Sequence, residues 1–302
     1  MALFIGSLQL GLIFALLAMG IFISFRILNI PDLTADGSFT LGLSVSAALT
    51  VVGHPILGLV LGFISGGAAG MITGLLQTKV RIHPILSGII TMSGLYTINL
   101  YILGARSNLT LIGSDTTFSL LINAAGLDRD LIRTILPLLI CIALGLLLFW
   151  FFKTHVGLCI RATGSNEEMV RASSIHVDKT KILALAISNG CVALSGAVLA
   201  QYQGFADIGS GVGMMVVGLA SVIIGEAFFG KRSVGIGLIS ATFGSLIYRY
   251  VIALALSAAF FPAFALRLVS AVIVVLALSL PEIRKWAAKM KKRREAARNV
   301  DA

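Results

Sequence analysis

Nine apolar runs, each closed by glycine, proline or a charge, follow one another along the chain. They cover about Leu3–Phe25, Ser38–Val52, Ile56–Gln77, Pro84–Leu103, Leu131–Phe152, Ile182–Gln201, Gly213–Phe229, Val234–Leu254 and Phe264–Leu280. Crossing a hydrocarbon core of ~30 Å takes about 20 helical residues, and a helix is the only open-chain element that satisfies its own backbone in lipid. The pattern predicts an all-α polytopic membrane protein with about nine transmembrane helices. A membrane domain then covers residues 1–281, and residues 282–302 form a basic, helix-prone tail at the anionic inner leaflet. The first run lacks a basic n-region and a small-residue cleavage site, so it reads as a retained span.

Two long polar segments interrupt the pattern. Residues 153–181, KTHVGLCIRATGSNEEMVRASSIHVDKTK, form a charged island between the fifth and sixth runs. Within it Asn166 is a good helix cap and Glu167 and Glu168 occupy a first turn, where the helix dipole favours negative charge. A short amphipathic helix over 166–173 at the membrane surface follows. Residues 104–130, rich in Ser, Thr and Asn, lie on the opposite side and read either as a small lid with short helices or as a plain linker.

Composition narrows the class. A mean hydropathy of +1.00 with 58% hydrophobic and 12% charged residues excludes an ordinary soluble domain. The net charge of +10 does not point to nucleic acid, because the basic residues sit in short loops and in the tail. If the island and tail are cytoplasmic, 18 of the 23 Lys and Arg lie inside, with the N-terminus outside and the C-terminus inside. Arg249 and Arg267 then read as anchors at the outer interface. Cys141, Cys159 and Cys191 lack paired spacing and the four histidines are isolated, so neither a disulfide nor a metal site is expected. No G-x-x-x-x-G-K-[ST] occurs, so the chain is not expected to hydrolyse ATP or to hold a cofactor of its own.

The island carries a further pattern: Gly157, Arg161, Ala162, Gly164 and Asn166, then Ile175, Val177 and Lys181. Here the chain resembles the permease subunits of bacterial ABC importers of the branched-chain amino acid, ribose and nucleoside type. In that family G-x-x-x-R-A-x-G-x-N, a short helix and G-I-x-V-x-x-x-K form the cytoplasmic loop that couples to the ATPase. The resemblance implies an ATPase-coupling role for these residues together with Glu167, Glu168 and Arg171. One position departs, since Ser174 stands where the family usually has a second glycine. It further implies a separate ABC ATPase that uses the ATP, an extracellular or periplasmic substrate-binding protein, a homodimer and a location in the bacterial cytoplasmic membrane. The alternative is a self-contained secondary transporter or channel.

Candidate pathway residues are few. The segment 29–38, NIPDLTADGS, precedes a short second run, and a short Pro/Gly-interrupted run points to a broken helix lining a pathway. Asp32, Thr34, Asp36 and Ser38 supply its polar groups, with Asp36 or Ser38 as the expected cap. The bland alternative is a cytoplasmic turn. Gln203 and Asp207, beside Tyr202 and Phe205, form either an external gate, as in the permeases it resembles, or an interfacial belt with a Gly-rich turn. Glu226 sits one turn from the inner end of the seventh run. It either snorkels beside Lys231 and Arg232, pairs with the coupling loop, or gates the cytoplasmic side. No internal repeat is evident. Together N-I-P-D-L-T-x-D-G-S and I-I-G-E look like a subgroup linked to aromatic amino acid uptake.

Overall fold

The computed structural model describes residues 2–257 except Leu127, Lys231 and Arg232, and beyond them only positions 272, 275 and 279. The ninth predicted span, Arg267 and the basic tail lie outside the described residues. The long helices are α1 (Ala2–Ile21, continued by a π-helical turn Phe22–Ile27), α2 (Thr34–Val51), α3 (Pro55–Thr78) and α4 (Pro84–Ile102). Strand β1 (Asn108–Thr110) and the short helix α5 (Thr117–Ala125) lead to α6 (Arg129–Phe151). Two small helices, α7 (His155–Ser165) and α8 (Glu167–Ala172), precede α9 (Val177–Gln203). Strand β2 (Phe205–Asp207) and a 3-10 turn (Ile208–Gly211) lead into α10 (Met214–Phe229) and α11 (Val234–Ser257). The strands pair antiparallel, Asn108 opposite Asp207, and form the one sheet among the described residues.

Local chemistry sets these boundaries. Pro55 and Pro84 open α3 and α4, where a missing N–H costs nothing, and left-handed Gly126 and Gly204 close α5 and α9. Seven helices are long and apolar enough to cross a membrane. The second predicted run falls short of that measure because α2 carries Thr34, Asp36, Ser38, Thr40, Ser44 and Ser46. Nearly all of α2 is instead buried in protein. Helices α1 and α9 form the centre of the bundle, whereas α6 leaves large side chains such as Leu146 and Trp150 exposed.

An inverted repeat, invisible in the sequence, organises the bundle. Helices α1 and α9 run antiparallel, with Ser195 donating to the Ile13 carbonyl (2.8 Å) and Ser188 to the Gly20 carbonyl (2.7 Å). Each is followed by an Asx turn, then a short helix, then a long one. Asp32 accepts from the Thr34 amide before α2 and α3, and Asp207 accepts from the Gly209 amide before α10 and α11. The pairs match in length: 18 and 16 residues for α2 and α10, 24 and 24 for α3 and α11. Helix α3 packs on α9 through Gly66 and Gly70, which face the Asn189 and Leu185 carbonyls, while α11 packs on α1 through Ser245, which donates to the Gly11 carbonyl. Small residues allow such close approach where packing, not water, drives association.

Candidate functional site

Two regions concentrate polar chemistry, one at the end of the bundle bearing α7 and α8, the other at its middle. At the first, the island's pattern predicts one short helix and the structure has two. Thr154 caps α7 by accepting from the Gly157 amide (3.3 Å), and Asn166 ends α7 and caps α8 by accepting from the Met169 amide (3.0 Å). Missing from the sequence reading was the helical character of residues 155–165, whose two glycines argue against a helix.

Those glycines are explained by contact. A Cβ on Gly164 would lie 1.8 Å from the Ile27 carbonyl oxygen, and one on Gly157 would lie 2.4 Å from that of Phe151. Helix α7 is thus seated by Gly164 directly on the π-helical end of α1. Thr163 bonds to Thr180 (3.0 Å) and holds α7 on α9, while Ile160, Val170 and Val177 are buried beneath the small helices. Glu167 accepts from Arg171 (2.8 Å) and Lys181 (2.5 Å), so the acidic first turn is tied to α9. Lys181, first, and Arg171 hold the Glu167 carboxyl below its ordinary range, and Glu167 in turn raises Arg171. Glu168, Arg161 and Arg171 remain exposed, Ala162 and Ile175 half-buried. Ser174, in the glycine position, adopts φ 60°, the left-handed conformation that a glycine takes without cost.

Glu226 belongs to this end. Its carboxylate takes both Nε and Nη2 of Arg26, a two-pronged pair from the π-helical turn to the last turn of α10. This partner lies 200 positions away in the chain, while Lys231 and Arg232 lie outside the described residues. A cleft of about 370 Å3 beside the pair is lined also by Arg161 and Ser165 of α7.

The second region is the break before α2. The chain leaves the π-helical turn near α7, and by Asp32 it meets Asn189, whose Nδ2 donates to the carboxylate (2.6 Å). Asn189 lies one residue from the centre of α9, so α2 starts halfway along the bundle. The break is thus real, but its capping differs from expectation. Asp32 caps the start of α2 through Thr34 N–H, Ser38 is buried without a partner, and Asp36 turns to another helix. Its two oxygens accept from the amides of Gly213 (2.9 Å) and Met215 (2.7 Å), at the start of α10. Two half-helix N-termini with opposite directions therefore meet at mid-depth, each supplied with a carboxylate. Thr34 bonds to Thr73 (2.8 Å) and Thr73 to Thr91 (3.0 Å), locking the break to α3 and α4.

The chain between α9 and α10 is likewise more than a turn. β2 is paired, Asp207 caps the 3-10 turn, Gln203 donates to the Phe205 carbonyl (2.9 Å), and the segment descends until Gly211 packs on the Asp36 carbonyl. Asp36 and Gly211 border a cavity of about 420 Å3 whose other wall is α4, with Ser93, Tyr96 and Asn99. The polar face of α4 was missed in the sequence, although an asparagine within an apolar run was a signal for it. Arg249 is half-buried with its guanidinium 4.0 Å from the centre of the Phe14 ring.

A family model described as "Branched-chain amino acid transport system / permease component" matches residues 3–278. The chain is 35% identical over 266 residues to the "Tyrosine transport system permease protein" of Clostridioides difficile, covering 88% of this chain and 86% of the relative. It is 37% identical over 229 residues to "Uncharacterized protein RP368" of Rickettsia prowazekii, covering 76% and 79%. Against the "D-allose transport system permease protein AlsC" of Escherichia coli it is 30% identical over 237 residues, covering 77% and 69%. No solved structure matches. With nearly its whole length matched and its apolar helices in place, the chain is a multi-pass membrane protein that belongs to the family of branched-chain amino acid transport system permease components.

Proposed function

We propose that this protein is the translocation subunit of an ABC importer in a bacterial cytoplasmic membrane. It takes a small solute, an amino acid or similar, delivered by a binding protein outside and is driven by a separate ATPase that docks on α7 and α8. The observation that carries the reading is the seating of Gly164 on the Ile27 carbonyl. It gives a docked ATPase a rigid contact with the end of α1, and through Arg26 with Glu226 at the end of α10. The name of the relative from Clostridioides difficile favours an aromatic amino acid as the solute.

In this reading the N-terminus is outside, the C-terminus cytoplasmic and the crossings nine. Two copies enclose one pathway, because Ser93 and Tyr96 of α4 are exposed at mid-bundle, where lipid would be a poor neighbour. Gln203 and Asp207 lie at the outer approach. Replacing Glu167–Arg171 by a Gly/Ser linker will leave membrane insertion intact and abolish both ATPase association and uptake. Recovery of the ATPase at normal yield in a pull-down overturns the coupling role. Labelling of Leu109→Cys only from the cytoplasmic side overturns the orientation.

A further inference from the structure

The cavity between α2, α4 and the 3-10 turn has a one-sided hydrogen-bonding character. Thr40 spends its hydroxyl proton on the Asp36 carbonyl (3.1 Å), and Ser93 spends its own on the Ile89 carbonyl (2.9 Å). Asn99, only 1% exposed, donates through Nδ2 to the Gly37 carbonyl (3.3 Å), while its Oδ1 has no partner. Each oxygen of Asp36 receives one backbone N–H and keeps a second lone pair. The hydroxyl protons of Thr40 and Ser93 are thus used up within the wall, and apart from the second N–H of Asn99 Nδ2 these residues offer the cavity acceptors. Tyr96 alone brings a hydroxyl whose proton is uncommitted.

Such a lining suits a ligand that donates and carries positive charge. An anion would meet a carboxylate and three lone-pair oxygens, with only the Tyr96 hydroxyl and one Asn99 N–H to bind it. The buried, unpartnered Asn99 Oδ1 is the group that most needs a donor, since a buried acceptor left unpaired has lost its hydration without compensation. Met92, Ile208 and Val212 flank the acceptors with apolar surface. Depth fits as well, for Asp36 stands one turn above the Asp32–Asn189 contact at the centre of α9.

Resting on the importer reading above, we propose that this cavity is a transit subsite that holds the ammonium group of the amino acid midway through the bundle, between Asp36 and Asn99, with the solute's apolar side chain against Met92 and Val212.

The test uses the full complex of permease, ATPase and binding protein in proteoliposomes, on a chain with Cys141, Cys159 and Cys191 replaced by Ala. Ser93→Cys probes the cavity and Ile142→Cys, half-exposed on α6, a lipid-facing position. Modification is timed with a trimethylammonium methanethiosulfonate and with its sulfonate counterpart. With each rate divided by that of the same reagent on a free thiol in solution, the thiol at 93 will react at least ten-fold faster with the cationic reagent, and adding Asn99→Leu will lower that preference several-fold. The thiol at 142 will react with neither. Equal rates at 93, a faster anionic reaction, or no reaction with either reagent overturns the subsite. Uptake of labelled tyrosine by the unmodified complex is measured separately. Its absence removes the amino acid importer reading, whereas uptake without charge preference at 93 removes the subsite alone.

Discussion

Gly164→Ala isolates the contact through which the proposed coupling runs. The added Cβ would stand 1.8 Å from the Ile27 carbonyl oxygen and 3.0 Å from Leu28 Cα, where ordinary contact begins at 3.4 Å. The opposing atom is backbone and cannot swing aside, so α7 must retreat by roughly 1.6 Å or the π-helical turn must shift. Overpacking of this kind costs about 1–3 kcal/mol. Gly145→Ala is the control, because its Cβ would meet only the flexible end of Met19 at 3.5 Å. Removing a glycine from a helix interior there is worth about 0.5–1 kcal/mol of stability. Thermal unfolding of the permease–ATPase complex, with uptake per ATP hydrolysed, reads both changes. Gly164→Ala will lower the midpoint and uncouple hydrolysis from uptake, while Gly145→Ala will leave coupling unchanged. An unchanged midpoint and unchanged uptake per ATP in Gly164→Ala would refute the seating of α7 on α1 as the route of coupling.

Further outcomes follow from other contacts. Arg26→Ala and Glu226→Ala will each destabilise by about 1–3 kcal/mol, and the double variant by less than their sum, which a double-mutant cycle on thermal unfolding checks. Asp32→Ala, which strands the Asn189 amide and the Thr34 N–H, will cost about 1–3 kcal/mol and lower the yield of folded protein in detergent. Ser174→Gly will relieve a left-handed serine worth about 1–2 kcal/mol, partly offset by chain entropy, and will slow hydrogen exchange in α8. For Glu167 the folded pKa lies below the unfolded one, so its tie to Lys181 is in full force above the ordinary carboxylate range near pH 4.3 and fades as pH falls through the lowered value. Protection of the α8 amides, taken relative to their intrinsic exchange rates, will therefore be flat from pH 5 to 8 and fall below, and Glu167→Gln will lack that acid step.

Legibility tracked the range of the interaction. Spans closed by proline, glycine or charge were readable because hydrophobic length is a local quantity, as were the cap at Asn166 and the break before α2. What escaped needed a partner far along the chain. Asp36 reads as a local cap, yet its acceptors go to Gly213 and Met215, at a separation no local rule registers. Glu226 pairs with Arg26 for the same reason. The glycines of α7 predict a loop by propensity, and only the Ile27 and Phe151 carbonyls show why they must be small. The repeat stayed hidden because its halves share lengths and turn geometry rather than residues, and because inversion gives them different surroundings.

The antiparallel pairing of α1 with α9 also bears on synthesis. Of the most apolar stretch of α1, 83% is buried, and its partners are α9 and α11, which begin at Val177 and Val234. At a translation rate of about 5–20 residues per second, roughly 10–40 s pass between the emergence of α1 and that of α9. Throughout that interval the carbonyls of Ile13 and Gly20 have only their intrahelical bonds, and the Gln9 oxygen lacks the Tyr202 hydroxyl. Biogenesis of this permease thus depends on whatever shelters its first helix, and variants along α1 will be felt in nascent-chain lifetime before they are felt in transport.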